Sequence, residues 1–225
     1  MGGSSSDMSS PIVVPATNNH TATIIFLHGL GDTGHGWALA MESFKSPHIK
    51  FICPSASPMP VTLNGGIQMP SWFDLKTLDA TGPEDEEGIK NACQKIHNLI
   101  EEETKSGIPS NRIMLGGFSQ GGALAIYSAL RYPKSLAGVL LFSCWLPLNR
   151  QFPGAAINNT EIPVLQCHGD IDNTVPHKWG VMTYEILKSF MPKLQFKTYK
   201  GMQHTSCEEE MKDAHQFIQT CLPPV

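Results

Sequence analysis

RIMLGGFSQGGALAIYSAL, residues 112–130, decides how this chain folds. The run Arg112-Ile113-Met114-Leu115-Gly116 is short and apolar and suits a buried strand, while 123–130 consists mostly of good helix formers. Between them stands Gly117-Phe118-Ser119-Gln120-Gly121, a G-x-S-x-G sequence. A strand, a tight turn with glycines around a serine, and a helix make a nucleophile elbow. The glycines answer a steric demand, since a Cβ on either side of the serine would meet a neighbouring strand or helix. The serine hydroxyl is lifted above the sheet edge at a helix N-terminus, where the dipole favours arriving negative charge. A plain Gly/Ser turn between two core elements is the alternative, and the strand before and helix after speak against it.

Working outward, residues 21–27 (TATIIFL) are β-branched and aromatic and predict a buried strand. It runs into the glycine-rich turn His28-Gly29-Leu30-Gly31-Asp32-Thr33-Gly34 and then a short helix near 37–44. Residues 49–53 predict a second strand, ended by Pro54. Acidic residues 83–87 open a helix, and Ile89, Cys93, Ile96 and Ile100 recur at helical spacing. Further strands are expected at 136–143, 163–166 and 194–199, and a helix at 177–190. A capping box at 206–209 precedes a last helix striped by Met211, Ala214, Phe217 and Ile218. Strands and helices alternate without repeat or linker. That pattern predicts an α/β fold, a mostly parallel sheet with helices on both faces. One domain is expected over 21–225, after a flexible leader over 1–20 where Pro11 and Pro15 discourage a helix.

A chain of 225 residues suits a single core, and 41% hydrophobic with 16% charged residues is ordinary globular composition. A net charge of −4 gives no reason to expect nucleic acid as a partner. No apolar run approaches a membrane span, and the polar start carries no export signal. Six scattered cysteines lack metal spacing and read as free thiols, which points to the cytosol. The start, Met1-Gly2-Gly3-Ser4-Ser5-Ser6, matches the pattern for N-myristoylation at Gly2, although Gly/Ser runs are also common in plain leaders. One such chain would give only weak, reversible contact with a membrane surface. The acidic run reads as a helix start, no metal or other cofactor is implied, and the oligomeric state is not legible.

A serine hydroxyl is a weak nucleophile and needs a base, and histidine suits because its free pKa is about 6.5. The base needs a carboxylate to fix its tautomer. In elbow proteins the order is serine, acid, histidine, each on a loop past a strand. His204 alone among the later histidines lies on such a loop; His177 starts a helix and His215 lies within one. Asp170 and Asp172 both follow the 163–166 strand. Asp172 is preferred because it sits deeper in its loop, whereas Asp170 suits the backbone of its own turn. His28 and His168 sit in H-G turns and read as structural. The oxyanion donors are expected from the N–H of Gln120 and the N–H of Leu30 in the earlier glycine-rich loop. That loop lacks G-x-G-x-x-G, which argues against dinucleotide binding.

Residues 55–78 are rich in proline, glycine and methionine, without periodicity, and apolar through Met59, Leu63, Ile67, Met69, Trp72, Phe73 and Leu75. A long loop in a compact domain is usually functional, here as a lid or binding wall, unless these residues simply cover the core.

Seven stretches together resemble the acyl-protein thioesterase and lysophospholipase family of serine hydrolases. They are FLHGLGDTGHGW (26–37), MPSWFDL (69–75), GIPSNRIMLGGFSQGGAL (107–124), SCWLPL (143–148), QCHGDID (166–172), FKTYKGMQH (196–204) and the terminal LPPV. The resemblance implies an α/β-hydrolase fold, a Ser119–Asp172–His204 triad and oxyanion donors at Leu30 and Gln120. It implies hydrolysis of S-palmitoyl cysteine thioesters on proteins, with lysophospholipids and small esters as secondary substrates. A general carboxylesterase with the same triad is the runner-up, and a non-catalytic binding protein is disfavoured because all three triad members are present. Three places depart from the family pattern: Gly2 stands where vertebrate members carry a cysteine that can be palmitoylated, Gly65-Gly66 loosen the apolar loop, and Thr174 and Trp179 fall where aliphatic and phenyl acyl-channel contacts are expected. Burying an acyl chain is worth about 0.8 kcal/mol per methylene, so a palmitoyl hydrolase needs a greasy groove. Leu30, Met69, Trp72, Leu75, Leu78 and Trp145 are the further candidates for lining it.

Overall fold

Every residue of the strand over Ala22–Leu27 is buried. Its alternate side chains serve two different cores: Ile24 and Phe26 point into one, Ile25 and Leu27 into the other. A strand with apolar residues on both faces must be covered on both, which is why this sequence recruits helices above and below a single sheet.

The computed structural model describes residues 9–43, 46–79 and 81–225. In chain order its elements are β1 (Ser9–Val14), β2 (Ala22–Leu27), α1 (Gly34–Glu42), β3 (Ile49–Ser55), β4 (Pro58–Val61), β5 (Ile67–Pro70), α2 (Glu86–Lys105), β6 (Ile113–Phe118), α3 (Gln120–Arg131), β7 (Gly138–Phe142), β8 (Val164–Gly169), α4 (His177–Lys188), β9 (Leu194–Tyr199) and α5 (Glu208–Cys221). Among the described residues, seven strands form one sheet in the order β1-β3-β2-β6-β7-β8-β9, parallel except for β1. Trp37 and Met41 of α1 and Ala214, Phe217 and Ile218 of α5 pack on one face. Ile96 and Ile100 of α2, Leu124 and Ile126 of α3 and Leu187 of α4 pack on the other.

β2 lies between β3 and β6, so the chain winds one way from β2 and later returns on its other side. Such a reversal opens a crevice at the carboxyl ends of the two strands involved. The loop carrying Leu30 and the turn carrying Ser119 both leave the sheet there, past the Leu27–Gly117 pair.

Four local expectations are corrected. The loose leader over 1–20 contains β1, which pairs antiparallel with β3; residues 1–8, Gly2 among them, lie outside the described residues. Pro11 is accommodated because the register shifts between Ser9 and Ile12, opposite Pro54, which itself lies within β3 rather than ending it. The loop over 55–78 contains a hairpin of β4 and β5, whose connection bends through Gly65 and Gly66 at φ of 66° and 81°. The cap of α5 is Cys207, whose sulfur accepts from the Glu210 N–H, one residue beyond the expected start.

Candidate active site

The elbow is built as the residue types require. Ser119 has φ 54° and ψ −122°, a conformation rarely adopted by a residue with a side chain. It is held there because Ser119 N–H donates to the Phe142 carbonyl at 2.9 Å while its own carbonyl accepts from Ala123 N–H at 3.0 Å. A Cβ at Gly117 would collide with the Gly121 backbone, and one at Gly121 with the Leu27 carbonyl. Ser119 is therefore the N-cap of α3, 8% exposed, with the positive end of the helix beneath it.

His204 lies on the loop between β9 and α5, its imidazole 17% exposed. Its ring packs at 4.6 Å from that of Phe118, the residue before Ser119. Phe118 in turn lies 5.5 Å from Trp37, and Trp37 4.6 Å from Phe26. This aromatic shelf supports the imidazole beside the elbow. The 26–37 stretch supplies Phe26 and Trp37, but their meeting with Phe118 and His204 was not legible, because those rings come from distant segments.

The carboxylate is Asp172, whose side chain has no exposed surface. Its Oδ2 lies 2.7 Å from His204 Nδ1, and its Oδ1 accepts from the N–H of Thr174 and of Val175, each at 2.9 Å. Burial pushes this carboxyl upward, but the imidazoles of His168 and His204 and the Val175 amide outweigh burial and hold it well below the usual carboxylate range. Asp170 does something else. Its Oδ1 accepts from Gly201 N–H at 2.6 Å, tying the loop after β8 to the loop that carries His204.

The two amides expected to hold an oxyanion flank the elbow. Gly29 is close enough that a Cβ there would stand 3.4 Å from Ser119 Cβ, which brings the Leu30 loop against the serine. That loop is fixed by Gly31 N–H donating to Pro70 O at 2.8 Å. The Gln120 side chain is fully buried and carries a role the sequence did not announce. Its Oε1 accepts from Trp72 N–H at 3.1 Å and its Nε2 donates to Phe73 O at 2.8 Å. The residue after Ser119 thus staples the 71–73 segment over α3. His28 completes the frame: Nε2 accepts from Ala56 N–H at 2.9 Å, so Nδ1 carries the proton and donates to Gly29 O at 2.6 Å.

The channel candidates separate into groups. Leu75, Leu78, Trp145 and Trp179 line one cleft, together with Phe73 and Val175, which the sequence reading did not nominate for it. Trp72 is 8% exposed, and its indole N–H donates to the His28 carbonyl at 2.8 Å, making it part of the frame. Leu30 and Met69 pack at the edge of the core near the hairpin base. Thr174 is exposed, and its amide serves Asp172. Val175 joins the cleft to the Asp172–His204 pair, since it walls the cleft and its N–H donates to Asp172 Oδ1.

Comparison with known proteins agrees with this fold. The model of the phospholipase/carboxylesterase family matches residues 8–222. The chain belongs to that family. Among curated relatives, acyl-protein thioesterase 1 of Gibberella zeae is 43% identical over 234 residues, covering 98% of this chain and 99% of the relative. Acyl-protein thioesterase 1 of Neurospora crassa is 42% identical over 227 residues, covering 96% and 93%. Among solved structures, acyl-protein thioesterase 2 of Zea mays superposes with a TM-score of 0.86 at 33% identity, covering 94% of this chain and 98% of that one. The fold is that of the α/β-hydrolases. Among the described residues no helix is long and apolar enough to cross a membrane, and no group of histidine, cysteine and acidic residues could hold a metal ion.

Proposed function

We propose that this protein is a serine hydrolase of S-acylated proteins, releasing long acyl chains such as palmitoyl from cysteine sulfur. The observation that carries the chemistry is the 2.7 Å pair between Asp172 Oδ2 and His204 Nδ1, on a ring packed against Phe118 beside the strained Ser119. With Nδ1–H committed to the carboxylate, Nε2 is the basic nitrogen available to the serine. Ser119 Oγ attacks the thioester carbonyl while His204 Nε2 takes its proton. The oxyanion is held by the N–H groups of Leu30 and Gln120, each worth about 2.7–4 kcal/mol of barrier. The intermediate collapses, the C–S bond breaks, and His204 returns its proton to the leaving thiol. Water, activated by the same imidazole, then hydrolyses the acyl-serine to a free acid.

The substrate class is supported by the two curated thioesterases at 42–43% identity and by the cleft beside Val175, where Leu75, Leu78, Trp145 and Trp179 supply apolar wall among Asp74, Asp79, Glu84 and Asp85. Lysophospholipids and small esters suit the same machinery. The proposed setting is the cytosol, with brief visits to membrane surfaces where acylated proteins reside. Intact mass of the protein from its native cell tests whether Gly2 is myristoylated.

The deciding experiment compares kcat/KM for matched oxygen and sulfur esters with acyl chains from acetyl to palmitoyl. Activity should rise toward long chains on sulfur. A maximum at acetyl or butyryl would give the protein to the carboxylesterases of small esters instead. A fluorophosphonate should label Ser119, and Ser119→Ala should lower turnover by at least about 10³ without changing the melting temperature.

A further inference from the structure

One buried side chain beside Asp172 is not used by this mechanism. His168, near the end of β8, has no exposed surface. Its Nε2 lies 2.8 Å from the Val175 carbonyl oxygen and 3.5 Å from Asp172 Oδ2. Both neighbours only accept, so Nε2 carries the proton. Nδ1 is left as a buried lone pair with no hydrogen-bond partner. Leaving such an acceptor unpaired opposes folding. Flipping the ring would give Nδ1 a partner only by taking Nε2 away from Val175. Retreat is also closed, because the ring is backed by Gly180, where a Cβ would stand 2.5 Å from Nδ1. The His177 ring stands edge-on at 5.6 Å.

The consequence falls on the acid of the triad. Val175 is gripped at both ends of its backbone: its N–H donates to Asp172 Oδ1, and its carbonyl accepts from His168. The 172–175 turn therefore cannot rotate about Val175 while His168 stays in place. We propose that His168 is a positioning residue for the hydrolytic reaction, one that fixes this turn and faces Asp172 Oδ2 so that the carboxylate meets His204 in a single orientation. The inference rests on the triad reading above. Glycine at 180 follows from it, since a larger residue would force the imidazole toward Asp172.

The titratable groups facing Asp172 are His168 and His204, while His177 of α4 faces His168 and feels Asp170 and Asp172. The N–H of His168 draws part of the charge of Oδ2 away from His204. Without it, that oxygen would hold the protonated form of His204 more firmly, and the acid limb of the rate profile would move to higher pH.

Two variants separate positioning from mere support. The amide nitrogen of glutamine reaches the place of Nε2, whereas that of asparagine reaches only the place of Nδ1. His168→Asn should lower kcat roughly 10- to 100-fold at constant KM, short of the about 10⁴ expected for losing the acid itself. Its acid limb of kcat/KM should rise by roughly half a pH unit. His168→Gln should recover most of the rate and return the limb to its original pH. Equal rates for the two variants, or a loss in His168→Asn with the limb unmoved, would overturn the proposal. If His168→Asn does not fold, the proton between His204 Nδ1 and Asp172 decides by its chemical shift in His168→Gln. Retention at the original position supports the inference, and displacement defeats it. Asp172→Asn is measured alongside. If it keeps full turnover the triad reading itself fails, whereas if it is crippled while His168→Asn is not, only the present inference falls.

Discussion

Asp172 and Glu210 both carry carboxyl groups shut away from solvent, at 4% and 0% residue exposure. Asp172 receives the His204 imidazole and two backbone N–H groups. Glu210, in the first turn of α5, has no hydrogen-bond partner on either side-chain oxygen. Burial pushes both groups upward. For Asp172 the donors reverse that push, whereas Glu210 rises to about 8 under burial with the nearby charge of Asp213 added. The position of Glu210 at a helix N-terminus favours its ionised form and does not suffice. A buried carboxylate stays charged when donors are aimed at it; removal from water alone yields a neutral acid. This molecule uses the first arrangement beside the His204 imidazole and the second under the first turn of α5.

The largest test of this contrast is Asp172→Asn, which should cut turnover by about 10⁴ while leaving the fold intact, read as kcat on a long-chain thioester with a parallel melting curve. Asp170→Asn comes next and should cost tenfold or less, roughly, because Asp170 secures the Gly201 amide and not the imidazole. If the ranking of these two were reversed, the acid role would pass to Asp170.

Glu210→Gln should leave turnover near its original level and alter stability instead. The folded protein keeps the Glu210 proton to about pH 8, while the unfolded chain releases it near the ordinary 4.5. The unfolded state thus binds fewer protons between these values, so this group's contribution is complete below about 4.5 and lost as pH rises through about 8. Melting temperatures from pH 5 to 9 should show the variant gaining on the original protein, by a few degrees, roughly, at the alkaline end. Parallel curves would mean that Glu210 has a partner.

The smallest effect concerns the thiols, of which Cys53, Cys93, Cys144 and Cys167 are buried as Glu210 is, while Cys207 and Cys221 are half-buried. Burial pushes Cys53 up to about 12 and Cys93 up to about 11. Alkylation at neutral pH should change turnover by less than about twofold, measured against a control labelled at Ser119.

Much of the frame was legible because it is written in local patterns. The strand at Leu194–Tyr199 alternates in polarity and has the bounds that its periodicity predicts. The elbow was legible because steric exclusion of Cβ admits few residues at 117 and 121. Preference for Asp172 over Asp170 followed from depth in the loop, and the two side chains do take different partners. β1 was not legible. Pro11 within it and Pro15 just after it read as disorder, and its stability comes from β3, some forty residues away. The hairpin of β4 and β5 was hidden in the same way, since Pro58, Pro60 and Pro70 obscure strand alternation on a two-stranded ribbon. The side chain of Gln120 was missed because its residue type says it can hydrogen-bond and not which way it turns.

The sequence by itself determined the class of fold, the nucleophile turn and the short set of residues able to serve it, because periodicity and backbone sterics act between near neighbours. Tertiary structure alone decided which imidazole meets which carboxylate, which rings support His204 and which buried acid keeps its charge. Those outcomes depend on donors, rings and burial supplied by segments far apart in the chain, and they exist only once the sheet has brought the segments together.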